Sequence, residues 1–229
     1  KDRDDLFAGT PPLEAKRLSL SRAATRTRDG RLRKLMFIDV RKAHCNPLCE
    51  VDEYIHLPDE CECPEGMCGK LVYWLYGFRP AAAAWEKLYS GKLISEGFER
   101  GDSCGVVFYH PVRDLSLVVH GDDFTVLGFE GSLDWFRGKI EAKYTVKFRG
   151  RLGPNRNDDK AVRILNRVVS WDAEGIKYEP DQRHAEIIIQ QLGLAGKKTA
   201  ATPGVKPANE KDEEGDDEQL DPVHTTKYR

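Results

Sequence analysis

The sequence predicts an α+β fold, and three observations carry that prediction. Apolar, β-branched runs alternate with helical segments in the order β-α-β, β-hairpin, α-β. The stretch from Leu117 to Leu127 reads as a hairpin, with apolar arms flanking Gly121-Asp122-Asp123. Consecutive strands with two helices on one face give an α+β sandwich whose core has the split βαβ (ferredoxin-like) order.

The elements follow in chain order. Pro11 to about Thr27 reads as a helix, with proline near its start and Leu13, Leu18 and Leu20 recurring among basic residues. Leu35 to Val40 is an apolar strand ending in Asp39-Val40. Asn46 to Gly69 is irregular, broken by Pro47, Pro58, Pro64, Gly66 and Gly69. Ala81 to about Glu96 is helical, with four alanines and then Trp85, Leu88 and Ile94 on a repeating face. Val106 to Tyr109 is a strand, and Leu115–Val119 and Phe124–Leu127 are the hairpin arms. Leu133 to Tyr144 is an amphipathic helix carrying Trp135, Phe136 and Ile140, and Thr145 to Phe148 is a short strand. Val162–Trp171 and Ile176–Tyr178 form a second hairpin, closed near Asp172 to Gly175. Asp181 to Leu192 is a helix with Asp181 as its N-cap. Beyond Thr199 the chain turns polar and acidic, which reads as a disordered linker. Trp74, Trp85, Trp135 and Trp171 read as core residues rather than stacking platforms.

Composition bounds the function. Of 229 residues, 32% are charged and 9% aromatic, as in a soluble globular chain. No apolar run approaches the roughly 20 residues that cross a bilayer, and the start lacks a secretory pattern. The expected location is intracellular, in a cytoplasmic particle or the nucleus. The chain begins at Lys1 and ends at Arg229 as if both ends were cut from something longer. No phosphate-cradling glycine loop of the Walker or dinucleotide type occurs, which disfavours a nucleotide-hydrolysing switch.

The net charge of −2 hides an asymmetry. Glu210 to Asp221 holds eight acids and one base, so this stretch carries −7 and the remainder +5. Lys16, Arg17, Arg22, Arg26, Arg28, Arg31, Arg33, Lys34, Arg41 and Lys42 gather early. Such a cluster suits a phosphate backbone; it also reads as a solvated helix face. Five of the six cysteines (Cys45, Cys49, Cys61, Cys63, Cys68) fall close together, with Cys104 apart. Their spacing lacks the paired C-x₂-C knuckles of common zinc modules, so free thiols are the first reading and a structural zinc the second.

The chemistry concentrates on three acids. Asp39 ends one apolar strand, and Asp122-Asp123 sit at the hairpin tip. Carboxylates on two neighbouring strands are the usual way to hold a pair of divalent metals for phosphoryl transfer. Mg²⁺ takes one or two carboxylates and keeps waters and substrate oxygens as its other ligands. The residues alone therefore suggest the palm of a nucleic-acid polymerase. A lone Gly-Asp-Asp is ordinary turn chemistry. The apolar arms and the upstream Asp39 give the pattern its specificity.

Several blocks then resemble, in order, the reverse transcriptase of copia-type retrotransposon polyproteins. Asp39-Val40-Arg41-Lys42-Ala43-His44-Cys45-Asn46 is similar to the family's strand-end motif. Asp52-Glu53-Tyr54-Ile55-His56-Leu57-Pro58 follows it. Leu75-Tyr76-Gly77-Phe78-Arg79-Pro80-Ala81-Ala82-Ala83-Ala84-Trp85 resembles the Leu-Tyr-Gly-Leu-Lys-Gln-Ala-Pro-Arg-x-Trp block. His120-Gly121-Asp122-Asp123 stands at the Tyr-Val-Asp-Asp box. Lys147 to Gly153 resembles the Lys-Asp-Leu-Gly region, and Thr202-Pro203 the closing Thr-Pro.

The resemblance implies a right-hand polymerase palm with partial fingers over residues 1–203, and an acidic linker at 204–229. Fingers sequence upstream and the thumb, connection and RNase H regions downstream are expected outside this chain. It implies RNA-directed DNA polymerase activity: nucleotidyl transfer to a primer 3′-hydroxyl with two Mg²⁺ ions, or Mn²⁺ in their place. Asp39, Asp122 and Asp123 become catalytic metal ligands, with Val40 adding a backbone contact to metal or triphosphate. His44, Arg79 and Pro80 fall at the incoming nucleotide, and His120 and Gly121 at the primer terminus. The implied partners are a primed RNA or DNA template, deoxynucleoside triphosphates, and the polyprotein's integrase and RNase H, with no membrane. Pro80 stands where the family has glutamine, Ala82 and Ala83 where it has proline and arginine, and His120-Gly121 where a tyrosine leads. These departures leave room for an inactive nucleic-acid-binding relic of the same fold. A zinc-stabilised interaction module built on Cys45 to Cys68 is the third reading.

Overall fold

The computed structural model describes residues 7–58, 60, 61, 64 and 66–198. The chain divides into two compact units after Glu179. The expected boundary at 203–204, the acidic stretch, Thr202-Pro203 and Cys63 lie outside the described residues.

The fold is α+β with antiparallel pairing. In chain order the elements are α1 (Leu13–Ala24), β1 (Lys34–Val40), β2 (Tyr54–Ile55), β3 (Gly69–Lys70), α2 (Ala81–Ser95), β4 (Glu99–Arg100), β5 (Val107–His110), β6 (Leu115–His120), β7 (Asp123–Gly128), α3 (Glu130–Glu141), β8 (Val146–Leu152), β9 (Ala161–Ile164), β10 (Arg167–Asp172), β11 (Gly175–Pro180) and α4 (Arg183–Gln191). Six strands form one sheet in the order β4-β5-β6-β7-β1-β8, each pair antiparallel. Three more form β11-β10-β9, and β2 pairs with β3.

Alternation along β1 builds two cores, one on each face of the large sheet. Met36, Ile38 and Val40 point to one side, where Leu117, Val119, Phe124 and Val126 meet Trp85 and Tyr89 of α2 and Phe136 and Ile140 of α3. Leu35 and Phe37 point to the other, against Leu20 and Ala23 of α1 and Val162, Val169 and Trp171 of the smaller sheet. Burying a side chain as fully as Phe37, Phe124 or Phe136 contributes about 2–3 kcal/mol. All four tryptophans are buried or packed against the cores.

Several boundaries differ from the sequence reading. The run from Val162 to Trp171 is two strands, not one. Leu165 and Asn166 both take positive φ (44° and 57°) and turn β9 back on β10 as a two-residue hairpin loop. The strand after α3 extends to Leu152, and α3 itself starts at Glu130 and ends at Glu141. Edge strand β4 carries no apolar alternation, since both of its residues are exposed, so pattern alone did not mark it. In the second unit, Gln182 holds the N-cap position of α4. Asp181 stands one residue earlier and accepts the Arg183 N–H at 3.2 Å. Within the irregular stretch, β2 and β3 form a short ribbon, and Leu48 bridges to Tyr73.

Candidate active site

Asp39 and Asp123 are direct antiparallel partners on β1 and β7. Like charges placed opposite each other on neighbouring strands repel, so the register itself creates an electrostatic demand. Gly121 and Asp122 form the two-residue loop between β6 and β7, closed by the pair His120–Asp123. Gly121 has φ +63°, the conformation a type II′ turn reserves for glycine at its first loop position. A Cβ at Gly121 would meet nothing within 4 Å, so the space over the turn is open.

The turn is pinned from two sides. The Val40 N–H donates to the Asp122 carbonyl at 2.9 Å. The Trp85 indole N–H donates to the Gly121 carbonyl, also at 2.9 Å. Trp85 is 1% exposed, so helix α2 reaches through the core to hold the loop. Val40 is wholly buried, and its N–H is committed to the turn.

Crowding of the acids appears in the protonation of Asp123. Burial, then the charges of Asp122 and Asp39, push the Asp123 carboxyl up from 3.8 to about 6, against the pull of Arg149 and Lys16. Two cations answer this crowding. Arg149 donates from Nη2 to Asp39 Oδ2. Lys16 on α1 is only 7% exposed; its Nζ lies 3.4 Å from His120 Nδ1. Burial lowers the Lys16 amine and the Asp123 charge partly restores it. Burial and the Lys16 charge hold His120 below the usual imidazole range, with Asp122 opposing.

His44 lies in a 3₁₀ turn, Ala43–Cys45, after Lys42 in the left-handed region (φ 51°). The Asn46 side-chain amide closes that turn, donating to the Lys42 carbonyl at 3.0 Å and the Ala43 carbonyl at 3.1 Å. The His44 ring stacks on Tyr76, centroids 4.5 Å apart and planes 28° from parallel. Burial lowers the His44 pKa, partly offset by the Asp122 charge. Burial raises the Tyr76 phenol, and Asp122 adds to that. Both rings therefore feel the turn carboxylate.

Not every residue singled out from the sequence joins this group. Arg79 is exposed and Pro80 half-buried, at the entry to α2. Among the described residues no hydrogen bond or ion pair links either to the three acids. Most of the early basic cluster serves the fold. Arg22 and Arg33 pair with Asp114 at 3.7 and 2.6 Å, Arg31 with Asp29 at 2.6 Å, and Lys34 with Asp158 at 2.6 Å and with Glu130. Arg17, Arg28, Arg41 and Lys42 stay exposed and, among the described residues, enter no ion pair. The described cysteines Cys45, Cys49, Cys61, Cys68 and Cys104 are free thiols.

Two participants were missed. Lys16 looked like one more basic residue on a solvated helix. Arg149 fell just past the expected strand Thr145–Phe148, and the only hint was Gly150 directly after it. The register shows why it reaches the site: Ile38 pairs with Phe148 and Phe37 with Gly150, so Arg149 is the extra residue of a β-bulge.

The donor set has the hardness that Mg²⁺ requires, all carboxylate oxygen. The Asp123 carboxyl, raised first by burial and then by the charges of Asp122 and Asp39, is a group whose ionised form a nearby divalent ion would favour. Among the described residues no three His, Cys, Asp or Glu side chains converge tightly enough to cage an ion by themselves. Mg²⁺ does not need such a cage, since it keeps waters and substrate oxygens. Also among the described residues, no helix is long and apolar enough to cross a membrane. Neither the known family models nor the curated proteins contain a match to this chain.

Proposed function

We propose that this chain carries the palm of an RNA-directed DNA polymerase of the copia-type retrotransposon kind. The observation that carries the reading is the pairing of Asp39 with Asp123 across β1 and β7, with Asp122 in the adjoining turn. The topology supports it: β1, β6, β7 and β8 lie in the order β6-β7-β1-β8, with α2 and α3 against one face, as in a split βαβ unit. The motif blocks also touch one another. His44 of the Asp39–Asn46 block stacks on Tyr76 of the Leu75–Trp85 block, and Trp85 of that block holds Gly121 of the His120–Asp123 box.

In this reading Asp39 and Asp122 would hold the two Mg²⁺ ions, with Asp123 completing the carboxylate group. Bound Mg²⁺ supplies charge neutralisation on the triphosphate and activation of the primer hydroxyl. The chain's own residues prepare the place. The bonds from Val40 and Trp85 fix the turn so that Asp122 is presented from a stiff loop. Gly121 leaves the space above the loop open for a primer backbone. The stacked His44 and Tyr76 rings offer a flat wall beside Asp122 on which a nucleotide sugar can rest. Exposed Arg17, Arg41 and Lys42 add positive surface for a primed RNA or DNA template. The remaining polyprotein, with integrase and RNase H, completes the proposed partner set.

One observation favours a second reading, an inactive nucleic-acid-binding relic: Arg149 already neutralises Asp39. Primer extension with Mg²⁺ decides between them. The polymerase reading expects extension that falls at least about 100-fold in Asp122→Asn. Extension that survives this substitution refutes the site. Primer–template binding without extension, unchanged by Asp122→Asn, establishes the relic.

A further inference from the structure

We propose that Arg149 is a built-in competitor for the metal at Asp39, a guanidinium that stands in for the cation until a divalent ion displaces it. The inference rests on the carboxylate-site reading above and adds a residue that the motif pattern does not contain.

Three observations carry it. First, Arg149 is delivered by a bulge. On a regular β8, the residue after Phe148 would pair with Phe37. Instead Gly150 takes that pairing, Arg149 is inserted between the Phe37 and Ile38 positions, and its guanidinium reaches Asp39. Bulges re-aim side chains in this way beside functional sites. Second, the bulge is held by backbone that tolerates no alternative side chain. Gly150 has φ +151°, and a Cβ there would come within 2.8 Å of both Asp159 Oδ2 and Val162 Cγ2. The Arg151 N–H donates to the same Asp159 carboxylate at 2.7 Å. Third, among the described residues Asp39 is the acid to which Arg149 donates a hydrogen bond, through its Oδ2. The Arg149 side chain is 37% exposed and Asp39 17% exposed. The cation therefore lies on the solvent side of the pair and can swing out without opening a core.

The acid group then holds three carboxylates against Arg149 and the buried Lys16. Lys16, on the buried face of α1 against His120, cannot swing out without opening that packing. Arg149 can. A divalent ion at Asp39 must displace it, and the guanidinium lowers the apparent metal affinity by the strength of a half-exposed ion pair. Removal of Arg149 therefore tightens metal binding by roughly two- to fivefold.

The test is a Mn²⁺ titration of the full chain, read by the electron paramagnetic resonance of free Mn²⁺ and so independent of polymerase activity. Arg149→Gln is compared with wild type, with Arg149→Lys, and with Arg28→Gln in the turn between α1 and β1, which makes the same charge change away from the acids. The expected order is Arg149→Gln tightest, Arg149→Lys between it and wild type, Arg28→Gln equal to wild type, and Asp39→Asn/Arg149→Gln without the gain. Equal binding by wild type and Arg149→Gln overturns the competitor role and leaves the carboxylate site standing. An equal gain in Arg28→Gln also overturns it, since the effect is then general charge. No Mn²⁺ binding by any of them overturns the carboxylate site and this inference with it.

Discussion

Replacing Asp123 with asparagine should stabilise the protein at neutral pH and leave it unchanged in acid. The Asp123 carboxyl stands at about 6 in the folded chain against 3.8 ordinarily, through burial first and then the charges of Asp122 and Asp39. A folded-state pKa above the unfolded one means that the folded chain binds the extra proton between about pH 4 and pH 6. Stability from this residue is therefore intact below about pH 4 and lost as pH rises through about 6. A gap of that size corresponds to about 3 kcal/mol at about 1.4 kcal/mol per pH unit. Asp123 is partly open to water, which screens the repulsion and brings the expected effect to about 1–2 kcal/mol. The assay is urea unfolding followed by tryptophan fluorescence at several values from pH 4 to pH 8, in wild type and Asp123→Asn side by side. Taking the difference between the two cancels the other titrating groups. The variant's advantage should grow by about 1–2 kcal/mol between pH 4 and pH 7. A difference that stays flat to within about 0.5 kcal/mol would show that the three acids do not feel each other.

Gly121→Ala should destabilise by about 1–2 kcal/mol, measured by thermal unfolding. No atom lies near enough to clash with the added methyl, so the whole cost comes from the positive φ, and a neutral result would mean the turn is not type II′. Lys34→Met should cost about 3 kcal/mol in chemical denaturation, because it leaves Asp158, whose side chain is 7% exposed, without its cation. A loss below about 1 kcal/mol would place that pair among ordinary surface pairs.

The legible part of the sequence was the part governed by local pattern. The apolar run before Asp39 and the arms around Gly121-Asp122-Asp123 appear as β1, β6 and β7 within a residue or two, because strand period and turn glycine are local signals. The pairing of Asp39 with Asp123 followed from those strands being neighbours. What escaped was set by distant partners. Lys16 and Lys34 read as solvated bases, yet one lies under α1 beside His120 and the other between Glu130 and Asp158. Neither acid partner of Lys34 is near it in sequence. Leu165-Asn166 concealed a turn because leucine is not a turn residue, and Asn166 alone was a weak clue. The Arg149 bulge depends on register against β1, which no local pattern encodes.

From Leu35 to Val40, every side chain but that of Asp39 is a brick in one of the two cores. Strand β1 is thus a party wall, with no outer surface along that run. Neither room can be emptied without exposing the plaster of the other, so the two slabs should melt in a single step. The one acid on that wall then keeps its place until the whole house comes down.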